Sequence, residues 1–280
     1  MKLNKYTYSL IFLLGIIAFA NAQSKEKIKG DRNVTIKQTY LDSFHTLDIK
    51  DDFEVQLVYN SKPSVEIEAD DNLHEIIDLD MVSGVLTIST QRRIASKKKL
   101  VITVNYSDEL SNISLYDSAE IRSLTSLELG DVSLTVKDNS RAYLNLKSST
   151  FKFSATEKTK SRLNITADSS SFSLSDNSKL DALVKGISSK FDLYQSSDAT
   201  IEGDTEDVAL RLDNSSNFVG KNYSVKNADV LIESTSDISL NVEMFLVLKA
   251  SGNTETYIYG EPKIELEIFT DTAKLQKKKK

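Results

Sequence analysis

The 280-residue chain has no cysteine and no tryptophan, and only two prolines, nine glycines and two histidines. Without cysteine, disulfide staples, thiol nucleophiles and thiolate metal sites are excluded together. A lipid-bearing N-terminus is excluded too, because it needs a cysteine just after the cleavage point. Stability must therefore come from packing and hydrogen bonds. The two histidines, His45 and His74, have no second histidine two to four residues away. A coordinated metal needs several convergent ligands, so both read as ordinary surface residues, and no metal or cofactor is expected. Beyond the first 22 residues no apolar run approaches the roughly 20 residues of a membrane helix. The formal charge of −6 argues against nucleic acid as a partner, since that needs concentrated Lys and Arg to displace counterions.

The first 22 residues form a processing signal. Lys2 and Lys5 precede the apolar run Leu10 to Phe19, and small residues follow at Ala20 and Ala22. A positive start, a short apolar core and an Ala-x-Ala site are the parts of a secretory signal peptide. The mature chain is expected to start near Gln23, exported to the periplasm or the cell surface. Residues 23–39 read as a lead-in, 40–275 as the folded domain and 276–280 as a basic tail. A second basic cluster, Arg92, Arg93, Lys97, Lys98 and Lys99, reads as a solvated loop between two strands.

What is present is alternation. Phe53, Val55, Leu57 and Tyr59 alternate with Glu54, Gln56 and Val58; Val65, Ile67 and Ala69 follow after Lys62-Pro63. Ser83-Gly84 turns the chain into Val85, Leu86 and Ile88, and Leu100, Ile102 and Val104 end this β-rich portion. Between them, Leu73 to Met81 fits either a helical turn or a bulged strand. Strict alternation means one buried face and one wet face.

From about Asn105 a polar turn flanked by short strands recurs. The turns include Tyr116-Asp117-Ser118, Asp138-Asn139-Ser140, Thr159-Lys160-Ser161, Asp176-Asn177-Ser178, Ser196-Ser197-Asp198, Asn214-Ser215-Ser216 and Ser234-Thr235-Ser236. Secondary turns fall at Ser148-Ser149, Ser169-Ser170 and Ser188-Ser189. A repeat of about 20 residues marks a stacked array, in which no unit buries its apolar side alone. The expected fold is all-β: a β-solenoid resembling a right-handed parallel β-helix, with a β-rich N-terminal portion. A β-sandwich is the runner-up, because half the interval matches hairpin spacing. Against the sandwich stands the shortage of Gly and Pro for tight hairpin turns.

Segments at both ends of the domain carry a family resemblance. Phe44-His45-Thr46-Leu47-Asp48-Ile49 runs into Phe53 to Leu57 and Val65 to Leu73, followed by Gly84-Val85-Leu86-Thr87-Ile88. Near the end, Ala250-Ser251-Gly252 leads to Tyr257-Ile258-Tyr259-Gly260-Glu261-Pro262. In these the chain resembles the putative auto-transporter adhesin, head GIN domain family of exported β-helical proteins. The family's Ser-Gly turns are here mostly Asn, Ser or Asp, as at Asn139 and Ser215. The resemblance implies the fold and an adhesin-like role, and carries over no catalytic residue.

Enzyme signatures are few. Ser149-Thr150-Phe151-Lys152 and Ser175-Asp176-Asn177 spell Ser-x-x-Lys and Ser-Asp-Asn, but Lys-Thr-Gly is missing. Strand alternation is expected to place Ser149 and Lys152 on opposite faces. Corner residues Asp138, Asp176 and Asp213 lack calcium-loop glycines and read as turn caps. Binding remains, with Tyr194, Tyr223, Tyr257 and Tyr259 as candidate surface contacts if exposed; buried, they would cap the core. The function so implied is an exported envelope module binding a glycan or protein. A polysaccharide-active β-helix enzyme and a purely structural envelope protein are the alternatives.

Overall fold

A computed structural model describes residues 25–279; the signal peptide expected over residues 1–22 lies outside the described residues. The chain forms a β-solenoid of about nine turns, built almost wholly from strands. Its centre is six long strands, Arg141–Ala155, Lys160–Leu174, Lys179–Leu193, Asp198–Leu212, Asn217–Ile232 and Asp237–Ala250, each parallel to the next. Arg141 lies beside Lys160, Lys160 beside Lys179, and Lys179 beside Asp198, so one coil is one repeat. Parallel stacking of this kind excludes the sandwich.

Each long strand rounds a corner within one continuous strand, with the inter-coil pairing resuming on the far side. In Arg141–Ala155 the core takes Ala142, Leu144 and Leu146, then Phe151, Phe153 and Ala155. Strand side chains alternate between faces, so this phase shift marks the bend at Ser148–Thr150. It recurs at Asp168-Ser169 and Glu206-Asp207, where two exposed residues follow each other. The outer surface therefore has two walls. The front wall carries the first halves of the long strands, and the back wall their second halves.

The opposite corner is a tight turn whose backbone enters the left-handed region. Asp117, Asp138, Glu157, Asp176, Asn214 and Ser234 all have φ between 54° and 63° or, for Glu157, 68°. Asp and Asn tolerate that conformation best after glycine, which explains how the turns close with so few glycines. The third turn centres on Glu157-Lys158 rather than on Thr159-Lys160-Ser161, since Lys160 already pairs with Arg141. After each turn comes an inward hydroxyl: Ser140, Thr159, Ser178, Ser197, Ser216 and Ser236 are all essentially buried. Part of this column is tied together, with Ser197 donating to the Leu174 carbonyl at 3.3 Å and Ser216 to the Asp213 carbonyl at 2.8 Å.

Phenylalanines fill the interior. Phe172 stacks on Phe191 with ring centroids 4.6 Å apart and meets Phe151 edge-on at 5.7 Å. Aromatic pairs add to their area burial in both geometries.

The N-terminal coils are stacked out of chain order. Thr46–Ile49 lies between Val85–Thr90 on one side and Asn112–Leu115 on the other, so the first of the three in sequence is in the middle. Leu100–Tyr106 likewise pairs with Glu54–Tyr59, placing the Val85 to Tyr106 coil at the end of the stack. An antiparallel cap closes that end: Ser64–Asp70 pairs with both Val34–Tyr40 and Leu100–Tyr106, and Ile77–Val82 forms a hairpin with Val85–Thr90. Asp71–Leu73 is a single 3-10 turn, and the strand after it starts at Ile77. The lead-in is part of the cap, since Lys27–Lys29 pairs with Arg93–Ser96.

Asp70 pins the cap. It is fully buried and accepts backbone N–H groups of Arg32 at 3.1 Å, Lys98 at 3.1 Å and Lys99 at 3.1 Å. Burial alone would raise its pKa, but these donors outweigh it and hold the carboxyl below its ordinary value. The basic cluster thus serves the fold through its backbone, while Arg92 and Lys99 pair with Glu26 and Glu68.

Two outcomes are expected. Phe172→Ala should lower stability by about 3–5 kcal/mol, as for other buried Phe truncations, measured by urea unfolding. The native Asp70 carboxyl releases its proton more readily than the unfolded one. Its stabilisation is therefore complete above the unfolded pKa and lost as pH falls through the lower folded value. Asp70→Asn should lower the thermal midpoint at neutral pH and flatten its decline in acid; an unchanged acid limb would contradict this role.

Candidate functional site

Because the coils are in register, outward side chains line up in columns along the front wall. One column runs Arg122, Tyr143, Arg162, Asp181, Thr200; beside it run Glu120, Arg141, Lys160, Lys179, Asp198. A third stacks Asn145, Asn164 and Leu183. Neighbouring strands lie about 4.8 Å apart, so each column is a ladder of closely spaced groups.

Tyr143 is held at the head of this array. The Arg122 guanidinium sits 4.4 Å from its ring centroid, and Arg122 Nε in turn donates to Glu120 at 2.6 Å. Arg141 approaches the same Glu120 carboxylate at 4.0 Å, and Lys179 pairs with Asp198 at 2.9 Å. Lys160 and Arg162 make no ion pair among the described residues. Below Tyr143 the wall sinks into a shallow groove of about 640 Å³ lined by Tyr143, Asn145, Arg162, Asn164 and Asp181. A second depression of about 490 Å³ adjoins it, bounded by Lys160, Arg162, Lys179 and Asp198. An aromatic ring, a guanidinium, an ammonium and stacked carboxamides can together hold a polar ligand with hydroxyl and anionic groups.

The four tyrosines singled out from the sequence are not brought together. Tyr194, Tyr257 and Tyr259 are partly exposed. Arg211 lies 5.6 Å from the Tyr194 ring; Tyr257 donates to Glu255 and has Lys278 over its ring at 4.6 Å. Tyr223 is not a surface contact. It is fully buried, its ring edge-on to Phe191 at 6.2 Å and its hydroxyl 3.0 Å from Ser189 Oγ. The reason is a bulge: the register shifts between Thr200 and Glu202, an extra residue enters the partner strand, and the alternation turns Tyr223 inward. Gly203, its register partner, has φ of 113° and approaches the preceding coil so closely that a Cβ would lie 2.2 Å from the Val184 carbonyl oxygen. Tyr143 had the signal that Tyr223 lacked, two arginines one coil away on either side, but only the register displays it.

The remaining candidates are structural in their contacts. His45 Nδ1 lies 2.8 Å from Thr46 Oγ1, and His74 Nε2 lies 3.0 Å from Thr35 Oγ1. Asp138 accepts the Asp117 N–H at 2.6 Å, and Asp117 accepts the Asp51 N–H at 2.8 Å, so corner aspartates cap the neighbouring turn. Asp213 accepts the Asn214 N–H at 2.7 Å, and Asp176 accepts the Ser175 hydroxyl at 2.8 Å. Ser149 and Lys152 both point outward, against the expectation of opposite faces, because the corner between them shifts the alternation.

The profile of the family described as "Putative auto-transporter adhesin, head GIN domain" matches residues 43–184 and again 165–262. The two matches overlap by about one coil, as interchangeable repeats would produce. None of the curated proteins matches the sequence. Among solved structures, a putative adhesin from Parabacteroides merdae aligns over 90% of this chain and 99% of its own at 14% identity and a TM-score of 0.68. A putative adhesin from Parabacteroides distasonis aligns over 90% and 100% at 16% identity and 0.63. A protein of the same organism titled a putative lipid binding protein aligns over 90% and 99% at 15% identity and 0.60. At these identities the likeness concerns the fold. No helix among the described residues is long and apolar enough to cross a membrane.

Burial pushes the Tyr223 phenol up to about 12, partly offset by its hydrogen bonds to Ser189 and Thr205. The folded value exceeds the unfolded one, so this contribution to stability is full below the unfolded pKa. It is lost as pH rises from about 10 towards about 12. Tyr223→Phe should make the alkaline decline of the thermal midpoint shallower, and an identical alkaline limb would overturn the assignment.

Proposed function

Because the chain belongs to the putative auto-transporter adhesin, head GIN domain family, we propose that it is an exported, adhesin-like module of the cell envelope, at the periplasm or the surface. Its solenoid presents a rigid wall to a glycan or protein partner. The observation that supports this reading is the register. Long strands stacked coil on coil hold outward side chains in fixed columns, so a broad surface is organised before any ligand arrives. A preorganised surface loses little entropy on binding. The front-wall groove, where Arg122 of the neighbouring coil holds Tyr143 beside Arg162, is the best-furnished part of that surface.

Alanine substitutions along the two walls, assayed against immobilised cell-surface glycans and envelope proteins, test the proposal. Front-wall changes such as Tyr143→Ala should weaken binding, and back-wall changes such as Lys152→Ala should not. Absence of binding to every envelope component would overturn it. Size analysis of the glycan after incubation separates the enzymatic alternative, which shortens the polymer, from simple binding.

A further inference from the structure

Charge is segregated along the front wall. The segments 141–147, 160–166 and 179–185 carry six cations, Arg141, Lys147, Lys160, Arg162, Lys179 and Lys185, against the single anion Asp181. The next three, 198–204, 217–223 and 237–243, carry Asp198, Glu202, Asp204, Asp237 and Glu243 against Lys221 alone. One wall thus reverses sign between consecutive coils, in a chain whose overall charge is −6.

Stability does not explain the basic half. In other columns opposite charges form ion pairs between coils, as with Lys226 and Glu206 at 2.7 Å, Lys274 and Glu255 at 2.9 Å, and Lys249 and Glu267 at 3.0 Å, although Asp237 and Glu255 also stack like on like. In the basic half Arg141, Lys160 and Lys179 stack like on like. Like charges directly opposite across strands are unfavourable. Among the described residues Lys160, in the middle, has no ion pair of the kind that Glu120 gives Arg141 and Asp198 gives Lys179, and Arg162 faces Asp181 across the register without closing one.

We infer that the front wall from Tyr143 to Lys179 binds a carboxylate-bearing polysaccharide strand. Lys160 and Arg162 are its anion contacts, Tyr143 its stacking platform, and Asn145 and Asn164 its hydroxyl partners. The groove and its neighbouring depression share Tyr143, Arg162 and Asp181, so they form one track. Coils about 4.8 Å apart offer an extended anionic chain a cation at each step. Arg162 presents a planar donor fork matched to carboxylate, whereas the hydroxyl-rich remainder of a sugar suits the stacked carboxamides. The acidic coils beyond Thr200 repel the same polymer and end the track. This assignment rests on the adhesin-like role proposed above and names the ligand class for it.

The test uses the mature chain, polygalacturonate as the acidic probe and dextran as the neutral one, read by calorimetry at low salt. Polygalacturonate should bind and dextran should not, and binding should weaken as salt rises. Lys160→Gln with Arg162→Gln should weaken it by about tenfold or more, since each charge-assisted hydrogen bond contributes on that order. Tyr143→Ala should weaken it too, and Lys190→Gln on the back wall should leave it unchanged. All four side chains are at least partly exposed, and an unchanged thermal midpoint will show that each variant folds. Equal binding of dextran, indifference to the paired substitution, or preference for phosphatidylglycerol vesicles would each overturn the acidic-glycan assignment. Retained binding to another envelope component would then leave the adhesin-like role standing, and loss of all binding would end both.

Discussion

The parallel backbone ladder between successive coils is the constraint on which the rest of the structure depends. It forces every coil to advance by one strand spacing and to close on itself within a nearly constant number of residues. Closure explains the left-handed turn residues, since a corner that tight needs a backbone most side chains avoid. It also explains the inward hydroxyls: the residue after each turn must face the core, but the corner is too narrow for a large apolar side chain. Where the chain departs from the common length, as between Asn217 and Asp237, the ladder bulges and a special pair, Gly203 and Tyr223, takes up the difference.

An array of this kind has two ends, and they differ. At the N-terminal end the antiparallel cap, fastened by Asp70, covers the outermost coil and turns Lys37, Gln38 and Thr39 outward beside the exposed Ile36 and Tyr40. At the other end the Lys263–Phe269 strand leaves Ile264, Leu266, Ile268 and Phe269 between 40% and 50% exposed. Repeat arrays normally finish in a unit with a polar outer face. The N-terminal portion covers its end with a non-repeating unit of about seventy residues, with coils stacked out of chain order.

The repeat itself was legible in the sequence because its signals are local. Asp138-Asn139, Asp176-Asn177 and Asn214-Ser215 announce turns within two residues, and the alternation of Leu144, Leu146, Phe151 and Phe153 announces strands. What could not be read depends on contacts between residues a coil or more apart. Counting by twos from Phe218 through Gly220 points Tyr223 outward; the bulge opposite Glu202 turns it in. The same counting separates Ser149 from Lys152, until the corner shifts the phase. Nor does anything local tell Thr46–Ile49 that it will lie between two later strands. Tyr143 gains its place in the groove only when Arg122 and Arg162, 21 and 19 positions away along the chain, become its neighbours.

That same register turns a sequence-distant set of charges into a functional surface at a cost. Two unit charges about 4.8 Å apart in bulk water repel by on the order of 1 kcal/mol before salt screening, and exposed ion pairs return no more than that. Arranging Arg141, Lys160 and Lys179 in one column therefore forfeits a small stabilisation that opposite charges in other columns secure. A solenoid is well placed to bear such a loss. Its core runs continuously through Leu144, Leu163 and Ala182 beneath the front wall and through Phe151, Phe172 and Phe191 beneath the back one, so the outward columns contribute little to whether the coils stack. Because the interior alone specifies the stack, the outer faces can be set by what they meet, and a column that holds Lys160 between two like charges reflects that freedom.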